Sequence, residues 1–159
     1  MSKSMIIKKE VTFNATPKSV WNLISNPKMT TQYMFGCEVL SDWKIGNQII
    51  WKGVTEDGKE IIYVKGVITD VIQGEKLSFT MFDPNIGIKD IPENYVNLTY
   101  KLTPLEKGTK LTIIQGDFSG AENAEKRFKE SQGGWDMVIP LMKKLIETSN
   151  DQYKSNVKN

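Results

Sequence analysis

What most constrains this chain is a series of short strand-like segments, most of them joined by turns too brief to hold a helix, closed by one long amphipathic stretch. Strands joined by a few residues must pair antiparallel, because a parallel crossover needs a dozen or more. The segments are Met5–Phe13, Glu38–Trp43, Gln48–Thr55, Lys59–Val71, Lys76–Phe82, Tyr95–Leu102 and Thr109–Gly116. Asp57-Gly58 is a strong hairpin signal, Gln73-Gly74-Glu75 marks another turn, and Pro104–Gly108 reads as a third. Tyr95–Leu102 alternates cleanly, with Val96, Leu98, Tyr100 and Leu102 on one face. The Asp83–Pro92 stretch has no period and reads as an irregular loop.

Two short helices interrupt the strands early. Thr16 is placed to cap a helix whose first residue is Pro17, carrying Val20, Trp21 and Ile24 on one face. Ser25-Asn26-Pro27 ends it, and a second helix follows from Pro27 to about Tyr33. The long stretch at the end, Ala121–Thr148, places Ala124, Phe128, Trp135, Val138, Ile139, Met142, Leu145 and Ile146 at helical spacing. Gly133-Gly134 and Pro140 are expected to interrupt it, and Pro140 to kink it. Each strand has one apolar face and only one long helix remains to cover them. The expected fold is therefore α+β: a curved antiparallel sheet wrapped around the C-terminal helix, with two short helices after the first strand. Residues 1–148 form one domain in this scheme, and Ser149–Asn159 is polar and reads as a frayed tail.

Composition removes whole classes of function. The 159 residues include no histidine and one cysteine, Cys37, so His-based triads, His metal ligands, internal disulfides and Cys-rich zinc sites are excluded. No metal or cofactor is implied, and no phosphate-binding or dinucleotide fingerprint occurs. The formal charge is +2, and Arg127 is the only arginine among scattered lysines, which is a solvated surface rather than a nucleic-acid patch. No apolar run approaches the roughly 20 residues of a membrane span. The N-terminal residues lack a signal-peptide pattern, so a cytoplasmic location is expected.

Several motifs then add a resemblance. Val11–Trp21 (VTFNATPKSVW), Gly66-Val67-Ile68 followed by Gly74–Phe79 (GEKLSF), Gly108–Ile113 (GTKLTI) and Gly133-Gly134-Trp135 stand in a characteristic order. Together they resemble the START/SRPBCC helix-grip superfamily, and within it the family named for the activator of the heat-shock protein 90 ATPase. The resemblance runs from about Ile6 to Glu147. It implies the helix-grip fold, and it implies a small molecule or a chaperone as partner. Family members often carry a histidine near the end of the last strand, where Gln115 stands here. The superfamily spans lipid carriers, receptors, cyclases and co-chaperone domains, so the fold leaves the activity open.

A pocket would form between sheet and helix. Its candidate lining is Met34, Phe35, Trp51, Tyr63, Phe79, Met81, Tyr100, Gln115, Trp135 and Ile139. Trp51, Tyr63, Tyr100, Gln115 and Trp135 carry polar tips that need partners when buried. Tyr63 and Val64 have opposite parity, so both face inward only across a β-bulge. Gly133-Gly134 has two explanations: close approach of helix to sheet, or space for a cavity wall beside Trp135. The carboxylates Glu38, Asp42, Glu60, Asp83, Glu93 and Asp117 show no pairing of the kind acid–base catalysis needs, and Cys37 has no histidine to activate it. Binding of a small apolar or aromatic molecule (lipid-like, polyketide-like or flavonoid-like) is the leading expectation. A chaperone-modulating interaction module and a cavity enzyme such as a cyclase or hydrolase are the alternatives.

Overall fold

The computed structural model describes residues 4–157, and side chains as far as residue 148. Its seven strands are β1 (Ile7–Phe13), β2 (Glu38–Ser41), β3 (Gln48–Val54), β4 (Glu60–Ile72), β5 (Lys76–Met81), β6 (Val96–Leu105) and β7 (Gly108–Gln115). They form one antiparallel sheet in the order β1-β7-β6-β5-β4-β3-β2. The helices are α1 (Pro17–Ser25), α2 (Pro27–Tyr33) and α3 (Ala124–Val157). A single 3-10 turn, Pro92–Asn94, lies within the β5–β6 connection.

Local chemistry explains the helix boundaries. Thr16 Oγ1 accepts the Ser19 N–H at 3.2 Å, and Pro17 supplies the first helical residue with no N–H to satisfy. Asn26 ends α1 and caps α2, its Oδ1 accepting the Lys28 N–H at 3.0 Å. Tyr33 closes the α1–α2 unit from inside, its buried hydroxyl donating to the Leu23 carbonyl at 2.8 Å.

Several boundaries differ from the sequence expectation, most of all in β6 and α3. β6 runs through Pro104 to Leu105, and the turn shrinks to Glu106-Lys107. Pairing with β5 ends at Lys101 and a last bond from the Leu102 N–H to the Glu75 carbonyl, so at Pro104 β6 has a neighbour on one side only, where a proline removes no ladder bond. α3 begins at Ala124 rather than Ala121, after a turn in which Asn123 adopts φ +57°. It passes through Gly133, Gly134 and Pro140 as one helix, so neither feature interrupts it. Its backbone continues to Val157, past the point where the apolar period stops. The expected tail, Ser149–Asn159, is helical in its backbone as far as Val157, and its side chains lie outside the described residues.

The core lies on the concave face of the sheet. Phe13, Ile49, Trp51, Ile68, Leu77, Phe79, Leu98, Tyr100, Leu111 and Ile113 point into it from the strands, and Val138, Met142 and Ile146 from α3. α3 also packs on α1, α2 and β1. Sheet and helix meet fully at the Met142–Ile146 end and diverge toward the N-terminal half of α3.

Candidate functional site

The divergence leaves a cavity of about 560 Å³, within the range of pockets that enclose small organic molecules. Its sheet wall is Trp51 of β3, Tyr63 and Val64 of β4, Met81 of β5, Val96, Leu98 and Tyr100 of β6, and Gln115 of β7. Its helix wall follows the α3 period through Arg127, Ser131, Gly134, Trp135 and Val138. Met34, Phe35 and Cys37 come from the turn between α2 and β2, and Phe82, Asp83 and Ile86 from the start of the β5–β6 connection.

Eight of the ten candidate residues meet around this space: Met34, Phe35, Trp51, Tyr63, Met81, Tyr100, Gln115 and Trp135. Phe79 and Ile139 do not. Phe79 is fully buried behind the wall, its ring 6.3 Å from that of Tyr100, and is core. Ile139 packs partly buried against the core, one residue and about 100° beyond Val138, which takes the cavity-facing position. Tyr63 and Val64 both face inward because β4 carries a bulge there: Trp51 pairs with Val64 and Lys52 with Ile62, which leaves Tyr63 as the extra residue. Gly53 accommodates it, since a Cβ there would lie 2.7 Å from the Tyr63 ring.

The polar tips divide into spent and unspent groups. The Trp135 indole N–H donates to Gln115 Oε1 at 2.8 Å, both residues being buried. Among the described residues, Gln115 Nε2 meets only the Met81 sulfur, at 3.5 Å. The Tyr100 ring stands edge-on to Trp135 at 6.1 Å. Its hydroxyl and the Trp51 indole N–H are shut off from solvent with no partner among the described residues. Burial pushes the Tyr100 ionisation far above its ordinary value, so the hydroxyl keeps its proton. Burial likewise raises the Cys37 thiol, which makes it a poor nucleophile.

The mouth is different in character. Phe35 holds φ +51° and leaves its ring 65% exposed, beside half-exposed Ile86. Arg127, whose guanidinium donates to the Asn94 carbonyl at 2.8 Å, lies with Asp83 and Glu130 at this end. Burial lowers the Arg127 pKa, and the nearby Asp83 charge opposes that shift. Of the carboxylates singled out in the sequence, only Asp83 reaches the cavity. Asp117 instead organises a turn, accepting from the Met5 and Ser119 N–H groups at 3.0 and 2.8 Å. No cluster of metal-ligating residues occurs among the described residues. Arg127, Ser131 and Gly134 were readable in advance as the helical neighbours of Trp135. The loop residues Asp83 and Ile86 carry no such period.

The loop is tied down. Asp90 accepts from Lys65 Nζ on β4 and from the Tyr95 hydroxyl at 2.7 Å, and Asn85 Nδ2 donates to the Ile62 carbonyl at 2.8 Å. The Lys65 hydrogen bond, then that of Tyr95, holds the Asp90 carboxyl below its usual range. A depressed carboxyl stabilises above its unfolded pKa of about 3.9 and loses that contribution as pH falls through its folded value. Amide-exchange protection of residues 83–95 should hold from pH 7 to 5 and drop below about pH 4. Asp90→Asn should lower it already at pH 7; unchanged protection in that variant would show that the latch does not hold the loop.

The two explanations of Gly133-Gly134 are now separable. A Cβ at either position would meet nothing within 4 Å, so close approach to the sheet does not require them. Gly133 is exposed and Gly134 lines the cavity. Gly133→Ala should therefore raise stability by about 0.5–1 kcal/mol, the usual helix-interior difference, measurable by urea unfolding.

An antiparallel sheet gripping a long C-terminal helix over a cavity is the helix-grip architecture. The sequence profile described as activator of Hsp90 ATPase homolog 1-like protein matches residues 14–147, and the chain belongs to that family. The solution structure of a Cytophaga hutchinsonii protein is 33% identical, with a TM-score of 0.74, over 95% of this chain and 99% of that one. A crystal structure of a Mesorhizobium loti protein is 16% identical with a TM-score of 0.70, over 90% and 97% of the two chains. DynU16, a protein in the dynemicin biosynthetic locus, shares the fold at 16% identity and a TM-score of 0.70, covering 92% of this chain and 49% of its own. No curated protein matches the chain significantly. No helix among the described residues is long and apolar enough to cross a membrane.

Proposed function

We propose that this protein binds one small, largely apolar or aromatic molecule between its sheet and α3. The supporting observation is the cavity of about 560 Å³ whose apolar wall contains two buried, unpartnered polar groups, Trp51 Nε1 and Tyr100 Oη. A well-packed core leaves few voids larger than a water, and each orphaned buried polar group costs about 1–3 kcal/mol. Both costs fall when a ligand fills the space and supplies hydrogen-bond partners. The deformable side chains of Met34 and Met81 suit a wall that adapts to its occupant.

Thermal unfolding against a panel of lipids, flavonoid-like aromatics and polyketides tests this. A ligand at a hundred times its dissociation constant adds about 2.7 kcal/mol, or roughly 5–10 °C at this chain length. One chemical class should shift the midpoint consistently, and native mass spectrometry should show one bound molecule. No shift from any class, with only the bare mass, would overturn the proposal and move attention to stimulation of a chaperone ATPase.

A further inference from the structure

We propose that the ligand carries a neutral hydrogen-bond acceptor, a carbonyl oxygen, received at the inner wall by the Gln115 amide. This rests on the ligand-binding reading above and specifies the ligand's chemistry.

The orientation of Gln115 is the starting point. An indole N–H can only donate, so Trp135, 2.8 Å away, requires the carbonyl oxygen of Gln115. The amide nitrogen and its two hydrogens are thereby turned to the other side. Their one partner among the described residues is the Met81 sulfur at 3.5 Å, a weak acceptor on a flexible side chain. Tyr100 stands against the same Trp135 ring and adds an unpartnered hydroxyl. Trp51 adds a third unspent group, again an N–H. Around the inner wall, then, Gln115 Nε2 and Trp51 Nε1 are open as donors only, the Tyr100 hydroxyl can donate or accept, and Gln115 Oε1 already accepts from Trp135.

Neither orphan is accessible to water as the walls stand. An acceptor reaches the Gln115 amide on an occupant that pushes Met81 aside, replacing a sulfur contact with an oxygen one. A carboxylate fits worse than a ketone. Among the described residues no cation lines the inner wall: Arg127 lies at the mouth, bonded to Asn94 and beside Asp83. A desolvated anion without a counter-charge is heavily penalised.

A matched series decides the matter on the wild-type protein: 2-acetylnaphthalene, 2-isopropylnaphthalene of nearly the same shape, and 2-naphthoate, each titrated calorimetrically. The ketone should bind at least about tenfold tighter than the hydrocarbon, the usual scale for satisfying buried donors, and the carboxylate more weakly than the ketone. Gln115→Met removes the amide donors at nearly the same volume, and should abolish the preference for the ketone. Should that variant fail to fold, the wild-type series still decides. Equal affinity for ketone and hydrocarbon would overturn this inference while leaving ligand binding intact. The carboxylate binding tightest would overturn it in favour of an anion site. Binding by none of the three would count against both readings.

Discussion

Gly66→Ala is expected to cost about 3 kcal/mol or more, among the largest effects of any single methyl added to this chain. Gly66 lies in β4 opposite Ile49 of β3, where the ladder to β5 is interrupted between the Lys65–Phe82 bridge and the Ile68–Phe79 pair. A Cβ there would fall 1.6 Å from the Thr80 carbonyl oxygen and 2.5 Å from its carbon, both backbone atoms of a central strand. Neither can rotate away, so β4 and β5 must separate. The Val67 N–H, which donates to Thr80 Oγ1 at 3.0 Å, would lose its partner in the process. Thermal unfolding should show a midpoint lower by at least about 6 °C. Gly133→Ala is the control that moves the opposite way. An unchanged midpoint in Gly66→Ala would mean that the two strands do not approach as described.

Trp135→Ala is the second large effect, expected at about 3–5 kcal/mol for a buried tryptophan. Two losses combine: the ring that packs edge-on against Tyr100, and the N–H that satisfies Gln115 Oε1. Trp135→Phe separates them. It keeps an aromatic body but leaves the buried Gln115 oxygen unpartnered, which alone costs about 1–3 kcal/mol. Urea unfolding should rank the stabilities wild type, then Phe, then Ala. A phenylalanine variant as stable as wild type would show that the Gln115–Trp135 bond contributes nothing net.

Much of the fold was legible in the sequence because its signals are local. Thr16-Pro17 and Asn26-Pro27 each join a cap to a helix start, and Asp57-Gly58 supplies the φ +81° its hairpin needs. The period of two along β6 and the helical period of α3 assigned the inner faces correctly, which brought most of the candidate lining together. What escaped depends on distances between elements. Phe79 and Met81 share a face of β5, yet only the latter lies where sheet and helix have diverged. Ile139 satisfies the apolar period as well as Val138 does, and only the rotation of α3 against the sheet distinguishes them. The glycine pair allowed two explanations, close approach or cavity space, because both use a missing side chain; the open space beside Gly134 is visible only in three dimensions. The loop holding Asp83 and Ile86 at the mouth is ordered by Asp90, Lys65 and Tyr95, partners on separate segments that no periodic pattern connects.

The central claim is that an apolar molecule enters the space between the sheet and α3. The four tryptophan indole N–H resonances report on it directly in a nitrogen–proton correlation spectrum recorded during titration with 2-acetylnaphthalene. Trp51 and Trp135 line the cavity, while Trp21 and Trp43 do not. The indole signals of Trp51 and Trp135 should move together and saturate at one equivalent, with those of Trp21 and Trp43 nearly stationary. Movement confined to Trp21 or Trp43, or no movement while the ligand is bound elsewhere, would contradict the account.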